Sequence, residues 1–90
     1  MSGQSRKLEI TNRRGLHARA SAKFVTQASA LSSPVEVEKD GSRVCGTSIM
    51  GLMMLGAAYG DIVTIHAEGE GAEDAVVSLV ALIEGRFGED

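Results

Sequence analysis

Aromatic side chains are scarce in this 90-residue chain: two phenylalanines, one tyrosine and no tryptophan. That scarcity leaves no base-stacking platform for single-stranded nucleic acid. With a formal net charge of −3, the chain also lacks the positive field that holds a phosphate backbone. The single cysteine, Cys45, excludes an internal disulfide and a cysteine metal cluster, and fits a reducing compartment. No apolar run approaches membrane-spanning length, because Gly51, Gly56 and Gly60 interrupt the longest ones. The segment Met1 to Asn12 has no apolar stretch of the kind a secretion signal needs. These absences lead to an expectation of one cytoplasmic domain over residues 1–90, with no membrane or nucleic-acid partner. Its core must come from Val, Ile, Leu, Ala and Met.

Periodicity orders the elements. Leu8 and Ile10 alternate with Lys7, Glu9 and Thr11 as in a half-buried strand. From Ala18 the period becomes helical, with Ala18, Ala22, Val25 and Ala28 recurring and Ala20 and Phe24 nearby. Ser32-Ser33-Pro34 stops that helix. Val35 and Val37 alternate with Glu36 and Glu38. Asp40-Gly41 is a hairpin signal, and Val44 lies in the returning strand. Ser48 suits the N-cap of a short helix over Ile49–Leu55, which Gly56 can end. In Ile62–Ala67, residues Val63, Ile65 and Ala67 share one face, and Thr64 and His66 the other. Ala75, Val76, Leu79, Leu82, Ile83 and Phe87 then fall at helical spacing behind Glu73 and Asp74. The order β-α-β-β-α-β-α predicts an α+β open-faced β-sandwich: a four-stranded antiparallel sheet with three helices on one face.

One short stretch suggests chemistry: Gly15-Leu16-His17-Ala18-Arg19. His17 stands where the strand pattern gives way to the helix pattern. A helix N-terminus offers unpaired N–H groups and partial positive charge, both favourable to an anion. Arg19 adds a planar cation suited to phosphate oxygens. An imidazole is nucleophilic at neutral pH. Together these groups could capture a phosphoryl group on His17 and pass it on. Read alone, the pentapeptide is equally consistent with a histidine that only caps a helix.

With Cys45-Gly46-Thr47-Ser48-Ile49-Met50-Gly51-Leu52-Met53, Leu55-Gly56 and Ala67-Glu68-Gly69-Glu70, the pentapeptide makes a set of ordered motifs spanning nearly the whole chain. In these the sequence resembles the HPr family, the histidine phosphocarriers of the bacterial phosphoenolpyruvate phosphotransferase system. The resemblance implies phosphorylation of His17 on Nδ1 by phospho-enzyme I, with Arg19 holding the phosphate, and onward transfer to an enzyme IIA. It makes Ser48 the counterpart of the family's regulatory serine, the target of HPr kinase/phosphorylase where that enzyme exists. It assigns Leu16, Ala20, Ile49, Met50 and Met53 to partner binding, and implies a monomeric carrier that is not itself an enzyme and needs no metal or cofactor. Three positions depart from the family pattern. Ala20 replaces the usual proline and so restores a backbone N–H; Thr47 replaces a lysine common before the serine; Cys45 replaces the usual asparagine.

Alternatives stay open at this level. The chain could be a nitrogen-branch HPr homologue working in a regulatory phosphorelay, or an α+β interaction module that is never phosphorylated. Ser48 could be a cap alone. His66 reads as a solvated surface histidine, Cys45 as a small, partly buried residue, and Glu89-Asp90 as a solvated tail. Gly69-Glu70-Gly71 lacks the lysine of a nucleotide-binding loop.

Overall fold

The computed structural model describes residues 3–89. Its elements run β1 (Gly3–Glu9), α1 (Ala18–Ser29), β2 (Val35–Lys39), β3 (Ser42–Cys45), α2 (Ile49–Leu55), β4 (Ile62–Glu68) and α3 (Ala72–Glu84). One 3₁₀ turn over Arg86–Gly88 follows. The strands form one antiparallel sheet in the order β1-β4-β2-β3, which is the expected architecture. α3 lies over β1 and β4, α2 lies over β2 and β3, and α1 packs against both helices.

Register explains which face is buried. Leu8 pairs with Val63, and Ile65 pairs with both Arg6 and Val37. Residues directly opposite one another point to the same face, so Val63, Ile65, Ala67, Val35 and Val37 present a continuous apolar surface to the helices. Phe24, Leu52, Leu79, Ile83 and Phe87 fill the space above it. The outer face carries Ser5, Lys7, Glu36, Glu38, Thr64 and His66.

Several boundaries and burials differ from the expectation. β1 ends at Glu9, and Ile10 is wholly buried just beyond it. There the chain leaves the sheet and is stitched to the 57–61 loop by Ile10 N–H→Asp61 O (2.8 Å) and Gly60 N–H→Ile10 O (2.8 Å). On α1 the buried face is Ala20, Ser21, Phe24 and Ala28; Ala18 is exposed. The true stripe is turned by about one residue and includes Ser21, polar in sequence, which buries its hydroxyl as a donor to Leu16 O (3.1 Å). Cys45 is exposed, since its place opposite Glu36 sets it on the outer sheet face. His66 is not freely solvated. Its Nε2 bonds Glu38 Oε1 (2.7 Å) and its Nδ1 bonds Ser5 Oγ (2.9 Å) across three strands.

Gly15 sets the entry into α1. Its φ is +62°, and a Cβ there would lie 2.3 Å from Ala57 O. The close approach lets Leu16 N–H donate to Ala57 O at 2.9 Å. Gly15→Ala is expected to destabilise the fold by about 3 kcal/mol, through left-handed strain plus a backbone clash. Urea unfolding measures it, and a loss below about 1 kcal/mol would show that the loop can move away at little cost.

Candidate functional site

His17 is the N-cap of α1, with extended backbone at φ −73° and ψ −178°. Its Nδ1 accepts from the backbone N–H of Arg19 at 3.3 Å. Its Nε2 lies 2.6 Å from Glu89 Oε2. A carboxylate can only accept, so Nε2 carries the proton and Nδ1 holds the lone pair; the tautomer is assigned from these partners. The ring is therefore oriented at both nitrogens, and its unprotonated nitrogen faces the start of a helix.

The charge around it is arranged to receive an anion. α1 has no acidic residue in its first turn, whereas α3 has Glu73 and Asp74 in its own. The positive end of α1 is thus left to an anion from elsewhere. Arg13, Arg14, Arg19 and Lys23 line a shallow cleft beside it, together with Gly88 and Glu89. Lys23 also donates to Phe87 O at 2.6 Å and so ties the C-terminal segment to α1. Asn12, 1% exposed, donates from Nδ2 to Gly15 O (2.8 Å) and to Glu89 Oε1 (3.2 Å). One amide thereby holds both the loop before His17 and the carboxylate after α3.

Glu89 corrects the expectation of a solvated tail; Asp90 lies outside the described residues. The hydrogen bond from His17 holds the Glu89 carboxyl below the usual carboxylate range. Burial works against this, while the Asn12 bond and the nearness of His17 and Arg14 add to the lowering.

The remaining expected site residues divide. Arg19 is exposed at the site. Leu16 (6% exposed) and Ala20 (0%) belong to the core and present no side chain to a partner. Ala20 sits on the buried face of α1, and Leu16 is drawn in by its bond to Ala57. Ile49, Met50 and Met53 are exposed on α2, and Met54 joins them; Leu52 and Leu55 face inward. Ser48 caps α2, accepting from Gly51 N–H at 2.9 Å. Sequence reasoning missed Asn12, Arg14, Lys23 and Glu89 as site residues. The Arg13-Arg14 pair and the Arg19/Lys23 spacing of one helical turn were readable signals. Glu89 had none, being 72 positions from His17.

A small carrier with an oriented imidazole at a helix N-terminus is the class that these features define. The PTS-HPr family model, described as the PTS HPr component phosphorylation site, matches residues 4–85. The phosphocarrier protein HPr of Neisseria meningitidis is 51% identical over 82 residues, covering 91% of this chain and 92% of that protein. A crystal structure of HPr-C-His from Thermoanaerobacter tengcongensis superposes with a TM-score of 0.92 at 48% identity, covering 97% and 98% of the two chains. A crystal structure of Crh from Bacillus subtilis, described as a domain-swapped dimer, has a TM-score of 0.75 at 41% identity, with 90% and 93% covered. The chain belongs to the HPr family, the phosphocarriers of the phosphotransferase system.

Because the Glu89 pKa is lowered on folding, its contribution to stability is present above the ordinary carboxylate value of 4.5 and is lost as pH falls through the lower folded value. Wild type is therefore expected to be more stable than Glu89→Gln at neutral pH, and the gap to close on acidification. Urea unfolding across pH checks this; a gap that persists unchanged in acid would remove the ionised Glu89–His17 contact as its source.

Proposed function

We propose that His17 is the residue that carries the phosphoryl group, accepting it on Nδ1 from phospho-enzyme I and yielding it to an enzyme IIA. The single observation behind this reading is the orientation of the ring: Nδ1 holds a lone pair at the helix start while Nε2 is pinned by Glu89. In transfer, the N–P bond of the donor breaks as Nδ1–P forms, and the proton stays on Nε2. The N–H of Arg19 loses its acceptor and turns to the phosphoryl oxygens. The Ala20 N–H, which a proline would lack, lies in the same first turn. Arg19, with Arg14 and Lys23 nearby, offsets the charge of the phosphorylated ring. Among the described residues Glu89 is the unfavourable neighbour of a phosphoryl group, and its side chain must swing from Nε2 or be screened by the cations.

Partner contact falls to the exposed Ile49, Met50, Met53 and Met54 on α2, which packs beside α1. These apolar side chains supply non-directional contact, and the cations around His17 suit acidic surfaces on both donor and acceptor. Ser48 is the regulatory position in this reading, open to HPr kinase/phosphorylase. A phosphate there would sit at the N-terminus of α2 and bring roughly −1.5 to −2 charge to the docking face. We take the carrier to be a single cytoplasmic domain acting as a monomer; gel filtration decides that against the swapped dimer described for Crh.

His17→Ala is expected to abolish phosphoryl acceptance from phosphoenolpyruvate and enzyme I with the fold retained, because the ring is not a core side chain. Intact mass spectrometry reads it, and phosphorylation persisting at His66 would sink the assignment. Ser48→Asp is expected to slow transfer to and from His17. Ser48→Ala should lose about 1 kcal/mol of capping stability and keep near-normal transfer. Equal rates in all three proteins would reduce Ser48 to a cap.

A further inference from the structure

A second recess, of about 590 Å³, is lined by Thr11, Arg13, Tyr59 and Arg86 and shares Arg13 with the His17 cleft. Its volume falls in the range of small-molecule sites. Three separate segments build it: the loop after β1, the loop before β4 and the C-terminal turn. Backbone hydrogen bonds hold the first two together through Ile10, Gly60 and Asp61. The third is held by burial of Phe87 and by the Lys23 bond to Phe87 O. Arg86, Phe87 and Gly88 all have positive φ, at 58°, 55° and 76°. Two non-glycine residues in this region cost free energy, and they persist because the buried ring over-determines the turn. The backbone that carries the lining side chains is therefore held in place.

The chemistry of the lining is that of an oxyanion site. Neither Arg13 nor Arg86 has an ion-pair partner among the described residues. Asp61, on the same loop as Tyr59, accepts instead from Ala58 N–H (2.8 Å) and lies 3.8 Å from Lys39. Arg14, not Arg13, is the arginine that acts on Glu89. The Thr11 hydroxyl is buried with no hydrogen-bond partner. That hydroxyl is closed to solvent, so what the recess offers a ligand is its two guanidiniums and the Tyr59 side chain. The Tyr59 side chain, 63% exposed, offers a ring and a hydroxyl at the rim.

We propose that this recess binds a small phosphate monoester, with its oxygens between the Arg13 and Arg86 guanidiniums and with its organic part against Tyr59. Two planar guanidiniums can each bond a phosphate through paired N–H groups, which favours phosphate over a single carboxylate. The recess shares Arg13 with the cleft beside His17 but does not use His17 itself. It would let a phosphorylated small molecule sense, or alter, the loop that positions α1, since Thr11 and Arg13 flank Asn12.

The test titrates isotope-labelled protein with inorganic phosphate, phenyl phosphate and benzoate while following backbone amide shifts. Saturable shifts at Thr11, Arg13, Tyr59 and Arg86 are expected with phenyl phosphate, with a dissociation constant on the order of 1 mM. They should be weaker with phosphate, which lacks the part that rests on Tyr59, and weakest with benzoate. Arg86→Gln should weaken binding about tenfold. Arg86→Gln should still accept phosphoryl groups from enzyme I, and Arg86→Lys should restore binding only in part. His17→Ala should leave the shifts unchanged, which separates this site from the acceptor. Shifts confined to His17–Arg19, linear unsaturated shifts, or binding indifferent to Arg86→Gln would each overturn the proposal.

Discussion

Most of what this molecule can do rests on the stitch between the loop that precedes α1 and the loop that precedes β4. Ile10, Gly60, Asp61, Leu16 and Ala57 exchange backbone hydrogen bonds there, and Gly15 is the point of closest approach. A side chain at Gly15 would hold the two loops apart. Leu16 would then leave the core, and His17 would lose its fixed place at the start of α1. The reactive end of the domain is thus positioned by backbone contacts, with the side chains added onto a settled frame. Such a frame suits a carrier, because a site that must meet two successive partners gains from being preformed.

The second organising feature is the separation of charge. The chain is acidic overall, yet five of its nine basic residues, Arg13, Arg14, Arg19, Lys23 and Arg86, gather around one loop and the C-terminal turn. The opposite sheet face is tied by paired groups, Arg43 with Glu36 and His66 with Glu38 and Ser5. Net charge therefore says little about this protein's partners. The local field does, and it reinforces the helix end instead of acting alone.

Glu89 gives the site its resting form. It supplies the negative charge that the first turn of α1 lacks, orients the ring through Nε2 and leaves the lone pair on Nδ1. Asn12 serves both ends of that arrangement, so a single buried amide couples the entry to α1 with the segment beyond α3.

Much of this was legible in the linear sequence. Alternation marked β2 and β4, Asp40-Gly41 marked the hairpin, and Ser48 and Gly56 bracketed α2. Each of these depends on residues within a few positions of one another. The placing of His17 and Arg19 at the start of α1 and the outward face of α2 were legible the same way. The failures share one cause. Leu16 and Ala20 were placed on the docking surface, His66 in solvent and Glu89 in a free tail, and each is decided by a contact made far along the chain. Leu16 is fixed by Ala57, His66 by Ser5 and Glu38, and Glu89 by His17. Local patterning determined the elements, their order and the place of His17 at the start of α1, because those are consequences of short-range backbone and side-chain preference. Only the tertiary structure decided which charges face the imidazole and which apolar residues are hidden, because both depend on segments brought together by burial of the core.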